Sequence, residues 1–137
     1  MKRLALILAL ALPVAAFAQS NDSAQKINKK NLVIKEWNTD PKGNSKVLDH
    51  VTTYSPEGRK LEEIEYNSDG QKWRKRYEFD AAGKMTKELV YDGRNRLQTY
   101  KTYEYNEFGK KKAQYTYNPK GKLLSVKHFE YIAQPAD

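Results

Sequence analysis

An aromatic residue followed by a polar turn recurs about every twelve residues along most of this chain. The copies are Tyr54-Ser-Pro-Glu-Gly58, Tyr66-Asn-Ser-Asp-Gly70, Phe79-Asp-Ala-Ala-Gly83, Tyr91-Asp-Gly-Arg-Asn95, Tyr105-Asn-Glu-Phe-Gly109 and Tyr117-Asn-Pro-Lys-Gly121. A weaker copy stands at Asp40-Pro-Lys-Gly43. Such repetition constrains the fold more than any local signal, because each copy is a small unit that must stack on its neighbours. Asp40, Ser55, Asn67, Asp80, Asp92, Asn106 and Asn118 open the turns and bond the backbone two residues on. Pro41, Pro56 and Pro119 preset φ at the next position. Gly43, Gly58, Gly70, Gly83, Asn95, Gly109 and Gly121 take a positive φ and close three-residue hairpin loops. Asn95 replaces glycine as the residue that tolerates this conformation next best.

Between turns, residues alternate with a period of two. Met85, Leu89 and Tyr91 share one parity, as do Leu97, Tyr103 and Tyr105. Ala113, Tyr115 and Tyr117 follow, then Leu123, Phe129 and Tyr131, while Lys84, Glu88, Lys110, Lys112 and Gln114 take the other parity. This predicts strands with one buried and one wet face. The turns set Tyr91 opposite Leu97, Met85 opposite Tyr103 and Tyr117 opposite Leu123. The step from Gly70 to Gly83 is one residue longer than the rest, which implies a β-bulge near Gln71-Lys72. That bulge sets Tyr66 opposite Trp73, Glu65 opposite Arg74 and Glu63 opposite Arg76, in preference to Trp73 opposite Glu65.

The fold expected is all-β, an antiparallel meander of eight strands in an open, twisted and curved single sheet. Strands are placed near 31–38, 46–54, 59–66, 72–79, 84–91, 96–105, 110–117 and 122–131. A small closed up-and-down barrel is the alternative, since eight short strands can close and an aromatic face needs cover.

The aromatic-Asp/Asn-x-x-Gly-Lys/Arg unit resembles the YD repeats that build the β-shells of Rhs-type toxins and teneurins. Over about residues 37–131 the chain is similar to a family of small secreted bacterial proteins assembled from such units. The resemblance implies that the motif is structural and carries no chemistry. Too few copies are present to wrap a cargo, so encapsulation is not implied.

Met1-Lys2-Arg3, an apolar run from Leu4 to Leu12 and Ala16-Phe17-Ala18 read as a secretory signal peptide, cleaved after Ala18. The apolar run is too short to span a bilayer, so no transmembrane segment is expected after cleavage. Residues 19–30 read as a flexible polar arm, 31–131 as the repeat domain and 132–137 as a tail. Localisation is expected to be periplasmic or extracellular. The chain has no cysteine, which removes disulfides, thiol chemistry and zinc–thiolate sites. With only His50 and His128 as imidazoles, no metal or cofactor is expected.

Glu62, Glu63 and Glu65 suggest paired carboxylates, but the expected register gives Glu63 and Glu65 basic partners. Glu65, Asn67, Asp69 and Gly70 mimic the start of a calcium loop whose essential bidentate glutamate falls on Arg76. Phosphate-loop and hydrolase motifs are missing, and no enzyme is expected. The basic residues, which give the chain a formal net charge of +8, are the one functional hint. Basic residues follow the turn glycines, and Lys72-Trp73-Arg74-Lys75-Arg76-Tyr77 interleaves them with aromatics, as polyanion-binding surfaces do. Lysines that protect strand edges from aggregation explain the same pattern and are preferred. The surface residues singled out are Arg74, Arg76, Lys110, Lys112, Lys122 and Tyr100. The function expected is a non-catalytic interaction or structural module. Its candidate partners are a protein, a second copy of the chain or an acidic polysaccharide, with nucleic acid not expected outside the cytoplasm. A ligand-binding barrel and a hydrolase are the alternatives.

Overall fold

The computed structural model describes residues 25–136. The signal peptide expected at 1–18 and the first part of the polar arm lie outside the described residues.

Eight strands follow one another: β1 (Val33–Thr39), β2 (Lys46–Tyr54), β3 (Lys60–Asn67), β4 (Gly70–Phe79), β5 (Met85–Asp92), β6 (Leu97–Tyr105), β7 (Lys111–Tyr117) and β8 (Leu123–His128). They lie in sequence order in one antiparallel sheet, and each touches only its sequence neighbours. The described residues therefore form a single layer. β1 and β8 are its edges, so the sheet is open. A barrel would need those two strands paired, and the barrel alternative is overturned along with the inner lining that a ligand-binding barrel requires.

The turns are built as their residues dictate. Positive φ occurs at Gly43, Gly58, Gly70, Gly83, Asn95, Gly109 and Gly121. In the last hairpin the Asn118 Oδ1 accepts from the backbone N–H groups of Lys120 and Lys122, at 3.0 and 2.9 Å. Asn95, at φ 59°, replaces the usual glycine, and the glycine of that turn has moved to position 93. A Cβ on Gly93 would meet the Gln71 carbonyl oxygen at 2.4 Å. The Gln71 Nε2 also donates to the Asp92 carbonyl (2.9 Å) and the Asn95 Oδ1 (2.8 Å), so the displaced glycine makes room for a neighbouring turn.

Register is kept at the turns and shifts just beyond them. Tyr91 faces Leu97 and Tyr117 faces Leu123 as expected. Every hairpin then carries a bulge within the first four residues of its returning strand, at Asp49, Leu61, Lys72, Thr86, Gln98, Lys112 and Leu124. Each bulge breaks the alternation of faces. Thus Met85 pairs with Phe79, while Leu89 pairs with Arg76 on the opposite face. Beyond the Gln98 bulge the β5–β6 pairing moves by one residue, so Met85 does not oppose Tyr103. In the third hairpin Asn67 opposes Gly70 across a two-residue loop, which brings Gln71 opposite Tyr66. The Lys72 bulge then sets Trp73 opposite Glu65 and Glu62 opposite Arg76, correcting the expected register by one residue. Trp73 is accommodated there by an edge-on contact with His50 at 5.7 Å and by the Lys75 ammonium 4.9 Å from its ring.

The expected division into an apolar and a wet face is therefore overturned. Aromatic residues stand on both faces, and among the described residues the buried side chains are Ala113, Thr52 and Ser55. Cohesion comes from the strand ladders and cross-strand pairs, each pair contributing roughly 0.2–1 kcal/mol.

Candidate interaction surface

On one face two carboxylates organise their surroundings. Glu63 accepts from the Tyr77 hydroxyl and from Lys60 Nζ at 3.1 Å, with His50 Nε2 at 3.6 Å. Glu88 accepts from the Tyr103 hydroxyl at 3.0 Å, with Lys75 and Lys101 at 3.7 and 3.9 Å. These residues share a face because Glu63 pairs with Lys75, Tyr77 with Glu88, and Glu88 with Lys101. Partial burial raises the Glu63 carboxyl, but the Tyr77 hydroxyl, Lys60 and His50 outweigh it and hold it below its ordinary value. Tyr77 and Tyr103 are pushed well above the usual phenol range, chiefly by burial and then by their carboxylate partners. The donors and acceptors of this face answer one another.

The opposite face carries a row of directly opposed residues that runs Glu62, Arg76, Leu89, Tyr100, Tyr117 and Leu123 across β3 to β8. Tyr100 and Tyr117 stack at 5.0 Å between centroids, inclined by 17°. Lys87 holds its ammonium 5.3 Å from the Tyr100 ring. The Tyr100 hydroxyl reaches the β7–β8 turn, 3.5 Å from where a Cβ on Gly121 would stand, beside Lys120 and Lys122. One row on, Arg74 lies over the Tyr91 ring at 4.4 Å and binds Glu62 at 3.3 Å. Arg76 makes a looser 3.9 Å contact with the same carboxylate. The guanidinium partners expected for Glu63 and Glu65 thus belong to Glu62, a consequence of the shifted register.

Of the singled-out residues, the fold gathers Arg76 and Tyr100 along one row, with Arg74 beside it, while Lys122 precedes Leu123 in the β7–β8 turn and alternates to the other face. Lys110 and Lys112 lie at the other end of β7, next to the Asn106–Gly109 turn. Tyr117, which belongs to the row, and Lys87, two residues before Leu89 on the same face, were not in that set. Lys87 shares the parity of Leu89, which faces Tyr100, and this was the signal that could have found it.

The basic residues after turn glycines divide into two kinds. Arg59 donates to the Asp80 carbonyl at 3.3 Å and lies 5.9 Å from the Phe79 ring. Lys84 repeats the arrangement one hairpin-pair later, donating to the Gly109 carbonyl at 2.7 Å and lying 5.6 Å from the Tyr105 ring. These cations clamp one turn to the next. Lys110, Lys112, Lys120, Lys122 and Lys127 have no ion-pair or aromatic partner among the described residues.

Among the described residues no group of three or more His, Asp or Glu side chains could hold a metal ion, and no helix is long and apolar enough to cross a membrane.

No family model matches the chain, and no curated protein matches it. Among solved structures it is similar to part of a GtfA/B complex bound to UDP and GlcNAc, at 16% identity and a TM-score of 0.30, over 69% of this chain and 20% of that one. It is also similar to part of accessory secretory proteins 1, 2 and 3 of Streptococcus pneumoniae, at 15% identity and a TM-score of 0.33, over 79% and 21% of the two chains. The chain spans about a fifth of the length of each.

Proposed function

We propose that this protein is a non-catalytic interaction module that works outside the cytoplasm and takes an acidic polysaccharide on the face bearing Tyr100 and Tyr117. The observation that supports this most is the stacked tyrosine pair with the Lys87 ammonium beside the Tyr100 ring. Flat rings offer a surface for a sugar ring, and ammonium groups beside them attract its carboxylates or sulfates. The excess of lysines without partners at the C-terminal end adds a longer-range attraction. Absence of catalysis is supported by the engagement of Glu63 and Glu88 in the sheet's own hydrogen bonds. Export is supported by the N-terminal sequence.

Calorimetric titration with polygalacturonate at low and high salt tests the reading. Binding should weaken steeply with salt. Tyr100→Ala and Lys87→Gln should each weaken it about tenfold, a change of roughly 1.4 kcal/mol. No binding at low salt, or equal binding by both variants, rejects the proposal, and a folded protein that captures only a protein partner would redirect it.

A further inference from the structure

The two edges of the sheet match each other. β1 and β8 are exposed along their whole lengths, and Val33, Trp37 and Val126 remain 50, 43 and 39% exposed. No described segment pairs with their outer sides. Because the number of strands is even, β1 and β8 run in opposite directions. A second copy displaced sideways would therefore bring its β1 antiparallel to the first copy's β8 and continue the alternation.

The hydrogen-bond phase restricts how the edges can meet. The Phe129 N–H donates to the Lys112 carbonyl at 3.1 Å, so the polar backbone groups of Phe129, Lys127 and Ser125 point inward. Those of Val126 and His128 consequently point out. Likewise the Tyr54 N–H donates to the Leu32 carbonyl at 2.9 Å, which turns the groups of Leu32, Ile34 and Glu36 inward and those of Val33, Lys35 and Trp37 outward. Outward residues must pair with outward residues. Of the registers this allows, one sets Val126 opposite Trp37, Lys127 opposite Glu36 and Ser125 opposite Asn38. Apolar meets apolar, cation meets anion and polar meets polar, while His128 opposite Lys35 adds no attraction. Sliding by two residues instead sets Val126 against Lys35 and Lys127 against Ile34. Two β1 edges related by a twofold axis centred on Lys35 or Glu36 put like charges opposite each other.

We infer that copies of this chain join head to tail, β8 of one to β1 of the next, into a continuous antiparallel sheet. Such a contact is heterologous and does not close on itself, so it yields a series of oligomers rather than a single dimer. The polysaccharide surface lies on a face and the joint lies on the edges, so the two can be tested separately.

Sedimentation velocity over a wide concentration range, on the protein in the form its host cell leaves it, provides the test. The sheet should show monomer, dimer and larger species growing with concentration. Val126→Pro should abolish the series, because it removes an outward N–H that the monomer's own ladder does not use. Lys127→Glu and Glu36→Lys should each weaken association roughly three- to tenfold, and the chain carrying both should recover it. Circular dichroism of Val126→Pro should keep the strand signal. A monomer at every concentration overturns the inference. So does association that survives Val126→Pro, which would place the contact on a face or on the N-terminal segment, or a double variant that stays as weak as the singles.

Discussion

The two faces of this sheet are made from the same repeat, and they use their polar groups differently. On one, Glu88 and Glu63 are only 13 and 18% exposed; Glu88 gathers a hydroxyl and two ammonium groups from β4 and β6, and Glu63 a hydroxyl, an ammonium and an imidazole from β2, β3 and β4. On the other, Glu62 serves two arginines, and the stacked Tyr100–Tyr117 pair then leads on to Leu123 at the edge, with Lys87 beside the Tyr100 ring. Polar satisfaction on the first face is inward and holds the sheet together. On the second it is incomplete, since the Arg74 Nε finds no hydrogen-bond partner among the described residues. In a single layer without a packed core, stability and recognition can be divided between the faces in this way.

The division can be broken by mutation. Glu88→Ala strands the Tyr103 hydroxyl and the Lys75 and Lys101 ammonium groups, and should lower unfolding stability by about 2–3 kcal/mol. Glu62→Ala on the other face should lower it by about 1 kcal/mol or less. Urea unfolding of both variants compares them, and equal losses would mean that the faces do not differ.

The pH dependence should also come from the first face. The folded Glu63 carboxyl lies below its unfolded value of 4.5, so its contribution is present above that value and lost as pH falls through the folded one. The folded Tyr77 and Tyr103 phenols lie above their unfolded value of 10.0, so their contribution is full below it and lost as pH rises beyond it. Thermal melts should therefore form a plateau that falls at both ends. In Tyr77→Phe the alkaline decline should be shallower, and an unchanged decline would detach it from this network.

The smallest effect separates two tyrosines. Tyr103→Phe deletes a hydroxyl that donates to Glu88 and should lower stability by about 1 kcal/mol. Tyr100→Phe keeps its stacked ring and should change stability by no more than about 0.3 kcal/mol, a contrast that differential unfolding curves resolve.

Much of this architecture was legible because turns speak through particular residues. Asn118 and Gly121 mark a hairpin without any knowledge of the rest, and Asn95 fits its positive φ for a stated reason. Strand order followed, and so did the pairs next to the turns, such as Tyr91 with Leu97. The faces were not legible, because the bulges at Thr86 and Gln98 carry no compositional mark. A single uncounted residue moved Met85 away from Leu89 and Tyr91, and turned an apparent apolar stripe into two mixed faces. The candidate surface suffered in the same way. Tyr100 and Arg76 could be singled out one by one, while their common row emerged only from the pairing of Leu89 with both.

The central claim is that one face sustains the sheet and the other receives a ligand. It is tested most directly by following backbone and tyrosine ring signals by nuclear magnetic resonance during titration with polygalacturonate. Shifts should centre on Lys87, Tyr100 and Tyr117, with Tyr77, Tyr103 and their carboxylate neighbours unmoved. Shifts centred on Tyr77 and Tyr103, or spread evenly over both faces, would contradict it.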